Sequence, residues 1–279
     1  MKAFTESERQ EKINYLLSCE KYGFEDLVLI VSILRGEGGC PWDREQTHKS
    51  IRRDFIEETY EVIEAIDTED PVLLREELGD VMLQVTFHAQ IEREEGRFDI
   101  EDVANDVCAK LIHRHPHVFG ELKLDNSADV LENWDKIKGV EKQRNTLTDK
   151  LRSIPPMLPA LMRAQKVGKK ASFFDFETTE AVYEKLYEEI AEVKEAHVGK
   201  DADAVAEEIG DLLLTVTSLA RKLGVDSEKA LYDATNKFID RFEKVENAVT
   251  AQGKSVENMT MTELDAVWDG IKHKNSQKN

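Results

Sequence analysis

The sequence predicts an all-α protein, and three of its features support this fold class. The chain has only 14 glycines and 6 prolines among 279 residues, so tight turns and helix breaks are few. Apolar residues recur at helical spacing in both halves of the chain. The apolar–polar alternation that is typical of half-buried β-strands does not compete with this pattern. We therefore expect bundles of consecutive amphipathic helices.

Three helices are predicted in the first half of the chain. Ile56, Tyr60 and Ile63 lie on one helical face, with glutamates on the neighbouring faces. The next helix begins at Asp70-Pro71, because aspartate caps a helix N-terminus and proline is tolerated at the first helical position. A third helix runs from 100 to 115 and is stopped by the proline that follows.

The second half shows the same order of helices. We expect them at 182–197, at 204–223 and from 227 to about 249, with Gly224 ending the middle one. Three of the six prolines lie in the segment 153–159 between the two halves, which is typical of a linker. The predicted domains are therefore residues 1–150 and 151–279.

Four acidic residues of the first half recur in the second half at a constant offset of 131 residues. The first set is Glu58, Glu61, Glu77 and Asp80, and the second set is Glu189, Glu192, Glu208 and Asp211. A duplicated solvent-exposed face would also carry acids, but it has no reason to keep the glycine that precedes each aspartate. The repeat therefore favours a functional interpretation.

The spacing of these acids predicts a metal site. Glu189 and Glu192 share one helix face, and Glu208 and Asp211 share a face of the next helix. A short turn makes the two helices antiparallel neighbours, so four carboxylates converge between them. Carboxylates that close repel one another and need a counter-charge. Mg²⁺ supplies it, because this cation prefers oxygen ligands and completes its shell with water and substrate phosphates.

Basic residues that could bind phosphate follow one helix later. Lys237 and Arg241 are one turn apart, and Lys110 and Arg114 occupy the matching positions of the first half. Lysine offers a phosphate a point charge and arginine offers it a two-pronged fork. Taken alone, each pair is also typical of an ordinary helix surface.

The net charge of the chain is −19, from 38 basic and 57 acidic residues. Such an excess argues against nucleic acid and against an anionic membrane as partners. The odd number of cysteines, three, favours a reduced compartment, and the apolar run 27–34 is too short to span a membrane. We expect a cytoplasmic protein.

These motifs resemble those of the all-α nucleoside triphosphate pyrophosphohydrolases, and their tandem arrangement is similar to the MazG group of that family. The signature is EExxE followed after 15 residues by ExxD. Further matching segments are 39–43 (GCPWD), 78–80 (LGD), 95–98 (EGRF), 114–119 (RHPHVF) and 159–166 (PALMRAQK). The resemblance implies hydrolysis of a nucleoside triphosphate to the monophosphate and pyrophosphate, a requirement for Mg²⁺ with Mn²⁺ as a substitute, and a homodimer.

The resemblance also implies roles for individual residues. The metal ligands would be Glu189, Glu192, Glu208 and Asp211, and the group that orients or deprotonates the water would be Glu188 or Glu189. Substrate contacts would come from Lys185, Glu189, Lys237, Arg241 and Trp268. A second site in the first half would comprise Glu58, Glu61, Glu77, Asp80, Lys110 and Arg114.

The two halves are not equivalent. Asp54 stands where the second half has Lys185, and Ala109 stands where it has Asn236. The resemblance implies that the C-terminal domain is the hydrolase, and these differences agree with it; the N-terminal domain would then be regulatory or mediate dimerisation. Two alternatives remain open from the residues: a nucleotide-binding regulatory module without turnover, and a pyrophosphohydrolase of narrower specificity, such as one acting on phosphoribosyl-ATP.

Overall fold

The computed structural model describes residues 4–124, 126–141 and 146–276. All regular elements in this part of the chain are helical, which confirms the predicted fold class. The chain divides into two compact units, residues 1–137 and 138–279. The predicted domain boundary near residue 150 lies inside the second unit, and the assignment of separate functions to the two halves stays a prediction.

The first unit contains seven helices and most of an eighth among its described residues. They are α1 (Glu6–Ser18), α2 (Phe24–Arg35), α3 (Pro41–Glu45), α4 (Arg52–Asp67), α5 (Pro71–Glu94), α6 (Ile100–Arg114), α7 (Pro116–Phe119) and α8 (Ser127–Glu141), and the division between the units falls inside α8.

The second unit continues with longer helices. They are α9 (Leu147–Arg152), α10 (Ala160–Lys170), α11 (Thr179–Gly199), α12 (Ala202–Lys222), α13 (Ser227–Thr250) and α14 (Met261–Ser276), with short 3₁₀ turns at Ser172–Phe174 and Val256–Asn258. Within the described residues, no helix combines the length and the apolar composition that a membrane crossing needs.

Each unit contains one helical hairpin, and the two hairpins turn in the same way. Glu69 and Lys200 both adopt a left-handed backbone, with φ of 55° and 59°. The aspartate that follows each of them, Asp70 or Asp201, caps the next helix by accepting hydrogen bonds from two backbone N–H groups. The left-handed residue reverses the chain and the aspartate starts the return helix. As a result, α4 packs on α5, and α11 packs on α12.

Each hairpin is held by a helix outside it. In the first unit the buried residues Val31, Ile51, Phe87 and Ile91 form one apolar cluster that joins α2 to α5. In the second unit α10 packs on α12. Gln165 also ties α10 to the start of α13, because its amide nitrogen donates to the Val225 carbonyl and its amide oxygen accepts from the Ser227 backbone and hydroxyl.

Candidate active site

The α11–α12 hairpin brings three acidic side chains together. Glu189, Glu208 and Asp211 each offer a carboxylate oxygen, and these oxygens lie within 4.8 Å of one another. Glu189 is buried at 3% exposure, whereas Asp211 is exposed, so the group lies between the helix interface and the surface. The structure thus brings together three of the four acids that the sequence places at this site.

The fourth acid, Glu192, lies outside this trio but next to it. Its carboxylate is 3.9 Å from the Lys185 ammonium, and its negative charge is among the causes that raise the pKa of Glu208. A change of side-chain rotamer would bring the half-exposed Glu192 carboxylate to a cation held by the other three acids.

Lys185 forms the centre of a network of ion pairs on α11. Its ammonium lies 2.6 Å from Glu188, 2.9 Å from Glu189 and 3.9 Å from Glu192. These contacts follow from helix geometry, since residues three, four and seven positions apart lie on one face. Hydrogen bonds to Glu188 and Glu189 raise the pKa of Lys185, so the lysine stays protonated and positively charged beside the acids. Glu188 itself is exposed and is held only at the edge of the cluster.

The second cluster remains more negative than one lysine can balance. Burial raises the pKa of Glu208, and the neighbouring charges of Glu192, Glu189 and Asp211 add to this effect. A carboxylate whose pKa is raised by its neighbours is stabilised when a cation arrives.

The α4–α5 hairpin holds the corresponding acids of the first unit. Glu58, Glu77 and Asp80 have carboxylate oxygens within 4.8 Å of one another, and these are the positions 131 residues before the second trio. Burial, a hydrogen bond with Glu61 and the charge of Asp80 raise the pKa of Glu58 to about 7. Burial and the charge of Glu61 also raise the pKa of Glu77.

The two clusters differ in their counter-charge. Asp54 occupies the position that corresponds to Lys185, and among the described side chains no lysine or arginine lies within ion-pair distance of Glu58, Glu61, Glu77 or Asp80. The second cluster is therefore balanced in part by a lysine, whereas the first has no such lysine among the described side chains.

Both clusters fit a hard divalent cation. Each offers only carboxylate oxygens, without sulfur or imidazole among the three ligands, and this is the donor set that Mg²⁺ and Mn²⁺ prefer. Burial, together with the charges of neighbouring carboxylates, raises the pKa of Glu58 in the first cluster and of Glu208 in the second. A cation of charge +2 would offset those charges.

A glycine accompanies each cluster inside its helix. Gly79 precedes Asp80 and Gly210 precedes Asp211. Apart from the adjacent residues and backbone of its own helix, a methyl group added to either glycine would meet no atom of the described residues within 4 Å. Glycine costs an α-helix about 1 kcal/mol relative to alanine, so internal packing does not explain the repeated choice. The open space in front of both glycines is consistent with close approach of a ligand or of another chain.

The basic and aromatic residues predicted to bind substrate form a second group, on α13 and α14. Lys237 and Arg241 line an open pocket of about 250 Å³ together with Asp233, Asn236, Asp240 and Lys244. The Arg241 guanidinium stacks on the Trp268 ring at 5.1 Å, and Phe238 lies 5.2 Å from the same ring. Within the described residues, no hydrogen bond or ion pair joins this group to the carboxylates of α11 and α12.

The matching basic residues of the first unit lie at the end of α6. Lys110 is exposed and Arg114 is half-buried. Beyond Arg114, the His115 ring packs edge-on against Trp134 at 4.9 Å. In both units, therefore, a residue at or beyond the basic pair packs against a tryptophan of a later helix.

Sequence reasoning missed two features of these units. It assigned Lys185 only to substrate, although the spacing to Glu188, Glu189 and Glu192 was a readable signal for ion pairs along α11. It also missed a charged network in the first unit, where His48 lies 2.7 Å from His88 and 2.6 Å from Glu92. No sequence spacing connects His48 to a residue 40 positions away, so that contact needs the fold.

The fold and the two clusters define an all-α protein with a duplicated, carboxylate-rich candidate metal centre. The MazG nucleotide pyrophosphohydrolase domain matches the chain twice, at residues 46–119 and 177–246, and each match contains one of the clusters. The chain belongs to the MazG nucleotide pyrophosphohydrolase family.

Curated relatives are similar along most of the chain. It is 46% identical over 251 residues to the nucleoside triphosphate pyrophosphohydrolase/pyrophosphatase MazG of Thermotoga maritima, a match that covers 89% of this chain and 95% of the relative. It is 44% identical over 253 residues to the nucleoside triphosphate pyrophosphohydrolase of Escherichia coli K12, with 88% and 95% covered. The protein of that name from Mycobacterium tuberculosis is 33% identical over 247 residues, with 87% and 65% covered.

Proposed function

We infer that this chain is a nucleoside triphosphate pyrophosphohydrolase, which cleaves nucleoside triphosphates to nucleoside monophosphate and pyrophosphate. The observation that carries this inference is the coincidence of each matched domain with one carboxylate trio. Relatives that share 44–46% of their residues with it over most of their length are named for the same activity.

We propose that the reaction takes place in the second unit and depends on Mg²⁺, with Mn²⁺ as a substitute. Glu189, Glu208 and Asp211 would hold the cation, and Glu192 would join them from its position beside Lys185. When bound, the cation would lower the pKa of a water molecule and neutralise charge on the phosphates. The excess negative charge of the cluster supports this assignment.

The chain's own acids would then move the proton. A water oxygen forms a bond to the α-phosphorus, the bond from that phosphorus to the bridging oxygen breaks, and pyrophosphate leaves with the electron pair. The proton of the water passes to a carboxylate of Glu188 or Glu189. Burial within the trio favours Glu189 as a ligand, whereas Glu188 is exposed and would face the water once its ion pair with Lys185 opens.

Basic residues would bind the substrate from two sides. Lys185 lies on α11 beside the carboxylates, and Lys237 and Arg241 line the pocket on α13. Trp268 offers a flat aromatic face for a base, which is at present covered by the Arg241 guanidinium. Nucleotide binding would therefore separate the Arg241–Trp268 pair and direct the guanidinium to the phosphates.

The first unit would serve regulation rather than turnover, since the dimer contact proposed below lies on the second unit. Its carboxylate trio is complete, but it lacks the lysine of the second cluster and has Asp54 there instead. An additional negative charge at this position would repel a triphosphate.

The cytoplasmic location stays a prediction made from the cysteine content, and the absence of nucleic acid partners stays a prediction made from the net charge.

We propose further that the protein is a homodimer. On α11, Tyr183, Tyr187 and Ile190 are exposed at successive helical turns, and Ile209, Leu213 and Val216 repeat this pattern on α12. Two adjacent helices with apolar stripes of this kind are typical of one half of a four-helix bundle. A second copy of the same hairpin would complete the bundle by C2 symmetry.

The direct test is to incubate the purified chain with each ribo- and deoxyribonucleoside triphosphate and Mg²⁺ and to identify the products. Nucleoside monophosphate and pyrophosphate in equal amounts are expected, and turnover should stop when the cation is chelated. Diphosphate and phosphate would mean attack at another phosphorus and a different enzyme. Metal-dependent binding without any product would show a regulatory module instead, and turnover confined to phosphoribosyl-ATP would show a narrower enzyme.

A further inference from the structure

The Lys185 ammonium contacts one of the three carboxylates that would hold a cation. This ammonium is 2.9 Å from Glu189, the most buried acid of the trio, and it also contacts Glu188 and Glu192. The lysine side chain is 32% exposed, so it has room to leave the cluster along the helix surface.

The Lys185 ammonium and a divalent cation would repel each other if both were bound to these carboxylates. Glu189 is a shared partner, so a cation held by its oxygens would lie within a few ångströms of the lysine nitrogen. Like charges at such a distance repel strongly, particularly beside a buried carboxylate where water screens little. The lysine therefore has to move whenever the cluster takes a cation.

A triphosphate offers the lysine a new partner. The ammonium is a compact point charge on a flexible four-carbon stem, and it can turn from a carboxylate to a phosphate oxygen while its Cα stays in place. Without nucleotide, leaving the acids would cost the lysine three ion pairs. With nucleotide, the triphosphate would replace them.

We propose that Lys185 is a displaceable counterion, which occupies the second carboxylate cluster until nucleotide and divalent cation bind together. This inference rests on the proposed function and concerns the order in which its site is assembled. The displaceable lysine makes the cation bind weakly without nucleotide and tightly with it. By linkage, the cation strengthens nucleotide binding by the same factor.

The first cluster provides the internal comparison. It has the same three carboxylate positions, but Asp54 replaces the lysine. Among the described residues, no lysine side chain has to be displaced before a cation binds there. We expect the first cluster to take a divalent cation without help from nucleotide.

The test uses the full chain and Mn²⁺ as a probe, with free Mn²⁺ measured by electron paramagnetic resonance. All proteins carry Glu77→Gln, which weakens the first cluster and leaves the second as the principal site. Titrations are made with and without a nucleotide analogue that has a methylene group between the α- and β-phosphorus atoms, because the enzyme cleaves that bridge.

Lys185→Met should bind Mn²⁺ at least about tenfold more tightly than its parent without nucleotide, and the gain produced by the analogue should shrink by a similar factor. Lys194→Met is the matched control, since it removes the same charge from an exposed position of α11 and should change the Mn²⁺ affinity by less than about twofold. Lys185→Gln serves as a second variant that keeps a polar side chain.

The proposal is overturned if Lys185→Met and Lys185→Gln bind Mn²⁺ no more tightly than the parent, or if Lys194→Met gains as much. Because the titration requires no turnover, this outcome is distinct from failure of the proposed function. The proposed function would fail if the natural chain released no pyrophosphate.

Discussion

At the scale of single residues, one substitution separates two otherwise equal clusters. The acids Glu77 and Glu208 lie at matching positions, and burial raises the pKa of both. Only the second cluster has a lysine, Lys185, at the start of its glutamate motif. Because the lysine ammonium and a divalent cation repel each other beside the same carboxylate, this single residue would couple loading of the cation to binding of the substrate.

A second residue-scale feature is the charged network around Glu92 in the first unit. The Arg97 guanidinium donates two hydrogen bonds to Glu92, and His48 contacts the same carboxylate at 2.6 Å. These contacts lower the pKa of Glu92 to about 2. The network lies on α5, the helix that also carries Glu77 and Asp80.

This network predicts how acid affects the stability of the protein. A glutamate in an unfolded chain has a pKa of about 4.3, so the lowered pKa stabilises the fold above that value. The contribution is lost as the pH falls from about 5 towards 2. We expect the urea midpoint of the natural chain to fall more steeply between pH 5 and pH 3 than that of Glu92→Gln.

Glu11→Gln is the control for the acid measurement, since Glu11 is an exposed carboxylate on α1. It should leave the slope of the natural chain unchanged. Equal slopes for Glu92→Gln and the natural chain would contradict a stabilising role for the network.

At the scale of elements, both hairpins could be predicted from sequence because their signals are local. Asp70 with Pro71 starts α5 as expected, and Gly224, with a φ of 71°, follows the end of α12. Helical periodicity placed the central helices within a few residues. Convergence of the acids followed from their spacing and from the short turn between the helices.

Other elements were less accessible to the same reasoning. The polar helix α1 buries no residue, so its face carries little periodicity, although the Thr5–Glu8 capping box marks its start. The charged network of His48, His88 and Glu92 depends on the packing of a loop on α5, which no local pattern encodes. The ion pairs of Lys185 follow from its spacing to the glutamates, whereas the family resemblance assigns Lys185 only to substrate binding.

The apolar stripes of α11 and α12 support a prediction about assembly. Leu213 is 47% exposed at the centre of the α12 stripe. If a second copy buries it, Leu213→Asp should weaken the dimer at least about tenfold, since burial of a leucine side chain is worth about 1.5–3 kcal/mol. Sedimentation equilibrium across a range of concentrations measures the shift.

Leu17→Asp is the matched control for assembly, because Leu17 is 78% exposed on α1, outside the hairpin. It should leave the dimer intact. A natural chain that sediments as a monomer at every concentration would refute the homodimer. An intact Leu213→Asp dimer would show that the interface lies on another surface.

At the scale of the whole molecule, duplication has produced two hairpins of the same design with different electrostatics. Both carry the acid trio, the capping aspartate and the glycine that precedes the last acid. The net charge of −19 does not exclude a nucleotide ligand, because the carboxylates of the clusters would hold the cation that a triphosphate binds.

The assignment of turnover to the second unit is tested most sharply by a pair of equivalent variants. Asp80→Ala and Asp211→Ala remove the same acid from the first and second trios. Pyrophosphate release from a nucleoside triphosphate is measured for both under identical Mg²⁺ concentrations, with circular dichroism to confirm that each variant folds. Asp211→Ala should lose at least about 100-fold in turnover, since even residues that only support metal ligands typically contribute 10–100-fold. Asp80→Ala should keep most of its turnover, whereas full activity in Asp211→Ala, or loss confined to Asp80→Ala, would contradict a catalytic second unit.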